Sequence, residues 1–285
     1  MKLGIALSGG GIRGIAHAGV LKALEDNNIK VDVIGGTSSG SLVATLYAIG
    51  YSPYYIYMLF KRYAKEIVEI DSTPIISGIG SFMFNKKVSV NGLNTGESIE
   101  TAYNQIAARK GIKKVGDIKN MPLVIPTVDV LNSKKYVFTN NIPNGDISNK
   151  KYITDISIGK AVRASSSFPC VFEPCDYKKH KFMDGGVLDN IPVQEVKKQG
   201  ADKVIAINFK ADDINDKSNI MDIAMRTIDI MGNKISEESL QSSDYILTVQ
   251  TDKTGLLEVE KLDKCYDFGY KAVMEKLPEI QKILY

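Results

Sequence analysis

Twice within its first fifty residues the chain passes from a short apolar run through a glycine-rich turn into a helical segment. The runs are Leu3–Leu7, Gly9–Gly14 and Ile15–Asp26, then Val31–Gly35, Gly36–Gly40 and Ser41–Ile49. A strand that feeds straight into a helix pairs with the next strand in parallel, across the helix, and not as a hairpin. The alternation continues. Pro53 opens a helix running to about Glu66, with proline near the first helical position. Further helices are expected at Glu97–Lys110, Thr154–Arg163, Val193–Gln199, Ile220–Leu240 and Lys261–Leu284. Strands are expected at Leu123–Val130 and Lys135–Thr139, in a run ending near Met183, and at Val204–Phe209 and Tyr245–Gln250. This pattern predicts one α/β domain over residues 1–285, built on a mostly parallel sheet covered on both faces.

Composition narrows the function classes. Apolar residues make up 44% and charged residues 24%, the balance of a globular protein with a real core. The net charge of +3 is too small and dispersed for a nucleic-acid partner, though it permits transient contact with an anionic membrane surface. No stretch approaches the roughly 20 apolar residues that span a bilayer. The chain enters its first strand at once, so no signal peptide is expected and the cytoplasm is the expected location, with peripheral membrane contact allowed. Cys170, Cys175 and Cys265 are odd in number and too few for a zinc site. They are expected to be reduced and structural.

Four segments carry chemistry. Ser38 sits in Gly36-Thr37-Ser38-Ser39-Gly40, where a sharp strand-to-helix turn holds a serine hydroxyl up and exposed. By itself it would equally serve as a helix N-cap. Gly9-Gly10-Gly11-Ile12-Arg13-Gly14 opens the first helix, so several N–H groups and the helix dipole converge on one place suited to an anion. Arg13 adds fixed charge there; it either shapes the loop or is a surface cation or salt-bridge partner. Asp184-Gly185-Gly186 ends a strand and presents a carboxylate there. Asp189 and Asn190 are read as caps or braces for that turn. Ala164-Ser165-Ser166-Ser167-Phe168-Pro169 takes a helix end into an extended segment.

These four blocks, in this order and spanning Leu3 to Pro192, resemble the patatin-like phospholipase family. Gly9–Gly14 matches its oxyanion loop (Gly9, Gly10, Gly11, Ile12, Arg13, Gly14). Gly36–Gly40 matches its nucleophile elbow, with Gly36 and Gly40 in support, and Asp184–Gly186 matches its Asp-Gly-Gly block. The resemblance implies a three-layer α/β/α fold. It also implies a Ser38–Asp184 catalytic dyad, fatty-acyl esters of phospholipids or lysophospholipids as substrates, and no cofactor or metal. The last third of the chain carries no family block.

A dyad also agrees with how little histidine there is. His17 falls early in the first helix and is expected to pack near the glycine loop. His180 precedes Asp184 by four residues on one strand, about 13 Å away, too far for that carboxylate to orient it. Tyr54, Tyr55, Tyr57, Met58, Leu59 and Phe60 form either a core-facing helix or a wall of an acyl site, and 71–96 is either a long loop or a lid. Two other functions compete. One is a general esterase or thioesterase on soluble acyl substrates. The other is a nucleotide or phosphate module, since Gly9-x-Gly11-x-x-Gly14 fits the dinucleotide pattern and Asp32 lies where a ribose-binding acid would fall. That reading leaves Ser38 and Asp184 without a role.

Overall fold

The computed structural model describes residues 1–68, 94–143, 151–169, 171–210, 220–251, 254 and 259–284. Nine strands among them form one sheet: β1 (Leu3–Leu7), β2 (Val33–Gly36), β3 (Leu123–Asp129), β4 (Lys134–Thr139), β5 (Tyr152–Ile153), β6 (Cys175–Tyr177), β7 (His180–Asp184), β8 (Lys203–Phe209) and β9 (Tyr245–Val249). The main order is β5-β4-β3-β2-β1-β8-β9. From β3 to β9 every neighbouring pair in that order is parallel, while β4 runs antiparallel to β3. The helices are α1 (Ala16–Asp26), α2 (Ser39–Ile49), α3 (Pro53–Val68), α4 (Glu97–Ala108), α5 (Ile158–Ser165), α6 (Val193–Lys198), α7 (Ile220–Gln241) and α8 (Leu262–Leu284).

Side chains alternate across each strand, and this sorts the core into two layers. On β1, Leu3, Ile5 and Leu7 join the larger cluster with Val20, Leu24, Leu46 and Val273, from α1, α2 and α8. Ala6 points the other way, with Val33, Val204 and Ala206, onto Val193 and Val196 of α6. The second layer is thin because its sheet residues are small. The result is the expected three-layer α/β/α arrangement around a mostly parallel sheet.

Several element boundaries differ from expectation, each for a local reason. β2 starts at Val33 because the Asp32 carboxylate is taken up at the edge, accepting from the Leu3 N–H at 3.0 Å and pairing with Lys30 at 2.8 Å. α5 begins at Ile158, not Thr154: Ser157 is its N-cap, its hydroxyl accepting from the Lys160 N–H, and Tyr152–Ile153 pairs with β4. The run ending near Met183 is a hairpin of two strands, β6 and β7. Cys175 and Cys265 are buried, whereas Cys170 lies outside the described residues. Along α3, Ile56, Leu59 and Phe60 are buried while Tyr54, Tyr55 and Met58 are exposed, so this helix has one core face.

The last helix reaches back to the first. α8 crosses α1 where both carry glycine. A β-carbon on Gly269 would stand 1.9 Å from the Ala16 carbonyl oxygen, and one on Gly19 would stand 2.0 Å from that of Tyr266. Only bare backbone permits that approach.

Candidate active site

Ser38 and Asp184 meet because β2 and β7 occupy one lane of the sheet, end to end. β2 pairs with the first half of β3, Ile34 opposite Leu123 and Gly35 opposite Val124. Continued straight, it would bring Ser38 opposite Thr127. The chain turns away first, and β7 enters the lane from the other direction, ending with Asp184 opposite Thr127. The serine turn and the carboxylate thus fill the gap between two strand ends. Pro126 lies in this gap. Val137, its neighbour on β4, donates its N–H outward to Lys151, so the ring nitrogen of Pro126 faces the gap, where no strand would accept from it.

The turn is strained. Ser38 has φ 53° and ψ −125°, a region costing a non-glycine residue about 1–3 kcal/mol. It begins α2 but makes no side-chain capping bond, so its hydroxyl is not used as a cap, and the residue is partly buried. The surroundings hold this geometry. The Ser38 N–H donates to Ser165 Oγ (3.1 Å), and Ser165 donates onward to the Pro126 carbonyl (2.6 Å). Thr37 Oγ1 donates to the Asp189 carbonyl at 2.8 Å. At the base of the turn, a β-carbon on Gly36 would sit 2.2 Å from the Gly40 carbonyl oxygen, a contact only glycine allows.

Asp184 is 3% exposed. Oδ1 accepts from the Gly186 N–H at 2.8 Å, and the Asp184 N–H donates to the Ser167 carbonyl at 3.0 Å. Burial pushes its pKa up to about 6, against the opposing pull of the Ser38 hydroxyl and the Gly186 N–H. The hydroxyl acts at longer range than a formed hydrogen bond, for Oδ2 is sealed from solvent without a partner among the described residues. Burial and an uncommitted oxygen make a carboxylate more basic than one in water.

The glycine loop lies against this pair: a β-carbon on Gly9 would stand 3.1 Å from Ser38 Cβ. Its N–H groups are not equivalent. That of Gly9 is occupied, bonded to Asn190 Oδ1 (3.1 Å) and to the Asn190 carbonyl (3.3 Å). Those of Gly10, Gly11 and Ile12 open the 3-10 turn Gly11–Ile15 and have no acceptor within it. Arg13 is buried, and its Nε donates back to the Gly10 carbonyl at 3.2 Å. In a planar trans peptide the next N–H points opposite the carbonyl, so this bond aims the Gly11 N–H away from Arg13. His17 does the same two peptides earlier, its Nε2 donating to the Ser8 carbonyl at 2.8 Å. It is buried and neutral, its pKa lowered by burial to about 4. Arg13 thus lies buried against the loop and not at the surface, and His17 packs beside it.

Phe209 and Lys135 escape sequence reasoning, as do the particular partners of Ser165 and Asn190. Phe209, at the end of β8, lies under the loop: its ring centroid is 4.8 Å from that of His17 and 5.6 Å from the Arg13 guanidinium carbon. Ser165 and Asn190 hold the backbone as described. Lys135 sits 2.7 Å from Asp189 and 3.1 Å from Glu195. Burial alone would raise Glu195, but Lys135, the Tyr152 hydroxyl and Lys198 override it and hold its pKa at about 2. Lys135, with Lys151 and Lys198 beside Glu195, thereby offsets the charge of the carboxylates behind the Asp184 turn. Two other residues are placed elsewhere. His180 pairs with Asp129 at 2.7 Å, beyond the gap, and serves neither Ser38 nor Asp184. Asp32 lies at the far end of β1 from the glycine loop, about 16 Å away, which removes it as a ribose-binding acid. The 71–96 segment lies outside the described residues up to 93.

Residues 5–197 match the family model described as patatin-like phospholipase. The chain belongs to the patatin-like phospholipase family. It is 29% identical to the lysophospholipase NTE1 of Candida albicans, over 94% of this chain and 19% of that protein. It is 30% identical to the uncharacterized protein YqhO of Bacillus subtilis, over 71% of this chain and 69% of that one. The chain therefore spans about a fifth of the length of the fungal relative. Among solved structures, VipD from Legionella pneumophila aligns with a TM-score of 0.52 at 14% identity, over 98% of this chain and 67% of that one, a likeness of fold. The family match stops at 197, yet Phe209 and α8, which brace the glycine loop and its helix, come later.

Proposed function

We propose that this chain is a serine acyl hydrolase that cleaves fatty-acyl esters of phospholipids or lysophospholipids, with Ser38 as nucleophile and Asp184 as base. The observation carrying this reading is the pairing of a strained, uncapped Ser38 with a buried Asp184 whose Oδ2 has no partner among the described residues. Family membership supplies the substrate class. We read residues 1–285 as one hydrolase domain, since β8 and β9 complete the sheet that β1 begins.

In the first step Ser38 Oγ attacks the ester carbonyl carbon and its proton passes to Asp184 Oδ2. The N–H groups of Gly10, Gly11 and Ile12 are the donors left to hold the oxyanion. The tetrahedral adduct collapses, and the leaving alcohol takes the proton from Asp184. Water then attacks the acyl-serine and gives a proton to Asp184, which returns it to Ser38 as the fatty acid leaves. No other group is required. A base with pKa about 6 is ionised at neutral pH yet more basic than a solvated aspartate.

The test is hydrolysis of a short-chain chromogenic ester, a phospholipid and a lysophospholipid by wild type, Ser38→Ala and Asp184→Asn. Loss of all activity in both variants supports the dyad. Wild-type rates in Ser38→Ala would refute the nucleophile. Cleavage of soluble esters or thioesters with no lipid turnover would move the assignment to a general esterase.

A further inference from the structure

Two hairpin turns stand side by side at the sheet edge that carries Ser38. One, 130–133, joins β3 to β4; the other, 178–179, joins β6 to β7. The Val130 N–H donates to the Lys181 carbonyl at 3.0 Å, so the two turns form one ledge. β3 runs parallel to β2 and continues past the point where β2 turns off at Ser38. Thr127 lies opposite Asp184, and Val130 and Leu131 follow three and four residues later, about 10–13 Å further out.

The composition of the ledge is unusual for a strand tip. β3 is buried along its whole length, yet the turn after it opens with Val130, 45% exposed, and Leu131, 66% exposed. Single exposed apolar side chains are ordinary. These two are adjacent and are surrounded by Lys134, Lys178, Lys179 and Lys181. Lys178 shares Asp155 and Lys181 shares Asp176, each at 3.8 Å, while Lys134 and Lys179 have no acidic partner among the described residues. Asp129 is buried, and its charge is taken up by His180, Asn132 and the Leu131 N–H. The ledge therefore presents an apolar tip within a surplus of positive charge.

We propose that these two turns dock the protein on an anionic lipid bilayer, Leu131 entering the headgroup region with Lys134 and Lys179 against lipid phosphates. The proposal rests on reading the chain as a hydrolase of lipid esters and adds where the lipid surface meets it. Apolar side chains of peripheral proteins enter about 5–10 Å into the headgroup and acyl boundary. Insertion of that depth brings the Ser38 gap, 10–13 Å behind the tip, to the level from which an ester is drawn. Lysines near an anionic surface add attraction that salt screens.

The experiment sediments the full chain, as Ser38→Ala so that vesicles survive, with phosphatidylcholine vesicles with and without phosphatidylglycerol. Binding is expected only with phosphatidylglycerol and should weaken with salt. Leu131→Asp should lower vesicle affinity by roughly tenfold or more, about the worth of one buried leucine. Lys134→Glu with Lys179→Glu should abolish the preference for phosphatidylglycerol. With Ser38 intact, both ledge variants should hydrolyse a soluble short-chain ester at the wild-type rate, since neither touches the site. Vesicle binding unchanged by both variants overturns the ledge. Binding of an acidic polypeptide without vesicle binding overturns the lipid as its partner. If wild type hydrolyses no ester at all, the hydrolase reading fails independently of any vesicle result.

Discussion

Replacing Asp184 by Asn should remove activity and, at neutral pH, remove a source of instability. The Asp184 carboxyl is buried with its pKa raised to about 6, against about 3.8 when unfolded. A group whose folded pKa is raised adds stability that is fully present below the unfolded value and is lost as pH climbs through the folded one. The difference of about 2 units corresponds to about 3 kcal/mol of destabilisation at pH 7.5, with about a third of it already incurred by pH 4.5. The Asn variant does not titrate. Its stability relative to wild type should therefore rise by about 2 kcal/mol between pH 4.5 and 7.5, whatever fixed offset the new amide brings. For a chain of this length that is roughly 3 °C in melting temperature. The assay is a pair of thermal melts, variant and wild type, at both pH values; His17 and all other titrating groups cancel in the difference. In parallel, wild-type kcat/KM should fall tenfold per unit below about pH 6 and be flat above it. A melting-temperature difference that does not change with pH would refute the reasoning, because it would mean that Asp184 is solvated and not a perturbed base.

Other predictions follow from named contacts. Ser38→Gly should melt higher than Ser38→Ala by about 1–2 kcal/mol, since glycine relieves the φ 53° strain that alanine keeps; equal melting would mean the turn is unstrained. Phe209→Ala should lower kcat about 10–100-fold with KM nearly unchanged, by loosening the peptide that aims the Gly11 N–H, and Phe209→Leu should recover part of it. Steady-state kinetics on a soluble ester read this split, and a loss confined to KM would refute it. Gly269→Ala should cost about 3 kcal/mol in chemical denaturation, because its methyl would meet the Ala16 carbonyl; a neutral result would mean that α8 rests only loosely on α1.

Much of the parallel sheet was legible because strand, glycine turn and helix follow one another in the chain, as at Leu3–Asp26. Ser38 and the glycine loop were legible for the same reason, each being a local backbone device. Asp184 could be read as a strand-end carboxylate, but the cause of its placement could not. It depends on β7 running antiparallel and sharing a lane with β2, 150 residues earlier in the chain. The individual roles of the loop N–H groups were equally out of reach, since they depend on Asn190 and Phe209 arriving from distant parts of the chain. Ser165 stood within a recognised block, but that its hydroxyl bridges Ser38 to Pro126 is a fact of three dimensions. The lane-sharing also explains why Pro126 is tolerated in the middle of a strand, a residue that by pattern alone argues against one.

The position of β1, between β2 and β8, has a consequence for synthesis. β2 emerges from the ribosome within seconds of β1, but β8 starts almost 200 residues later, about 10–40 s at ordinary elongation rates. Through that interval one edge of an apolar parallel strand has no partner, and the loop that Phe209 will brace has nothing beneath it. The nascent chain must therefore be shielded until its last third is made, and slowing translation between residues 40 and 200 should raise its dependence on chaperones in proportion to the delay.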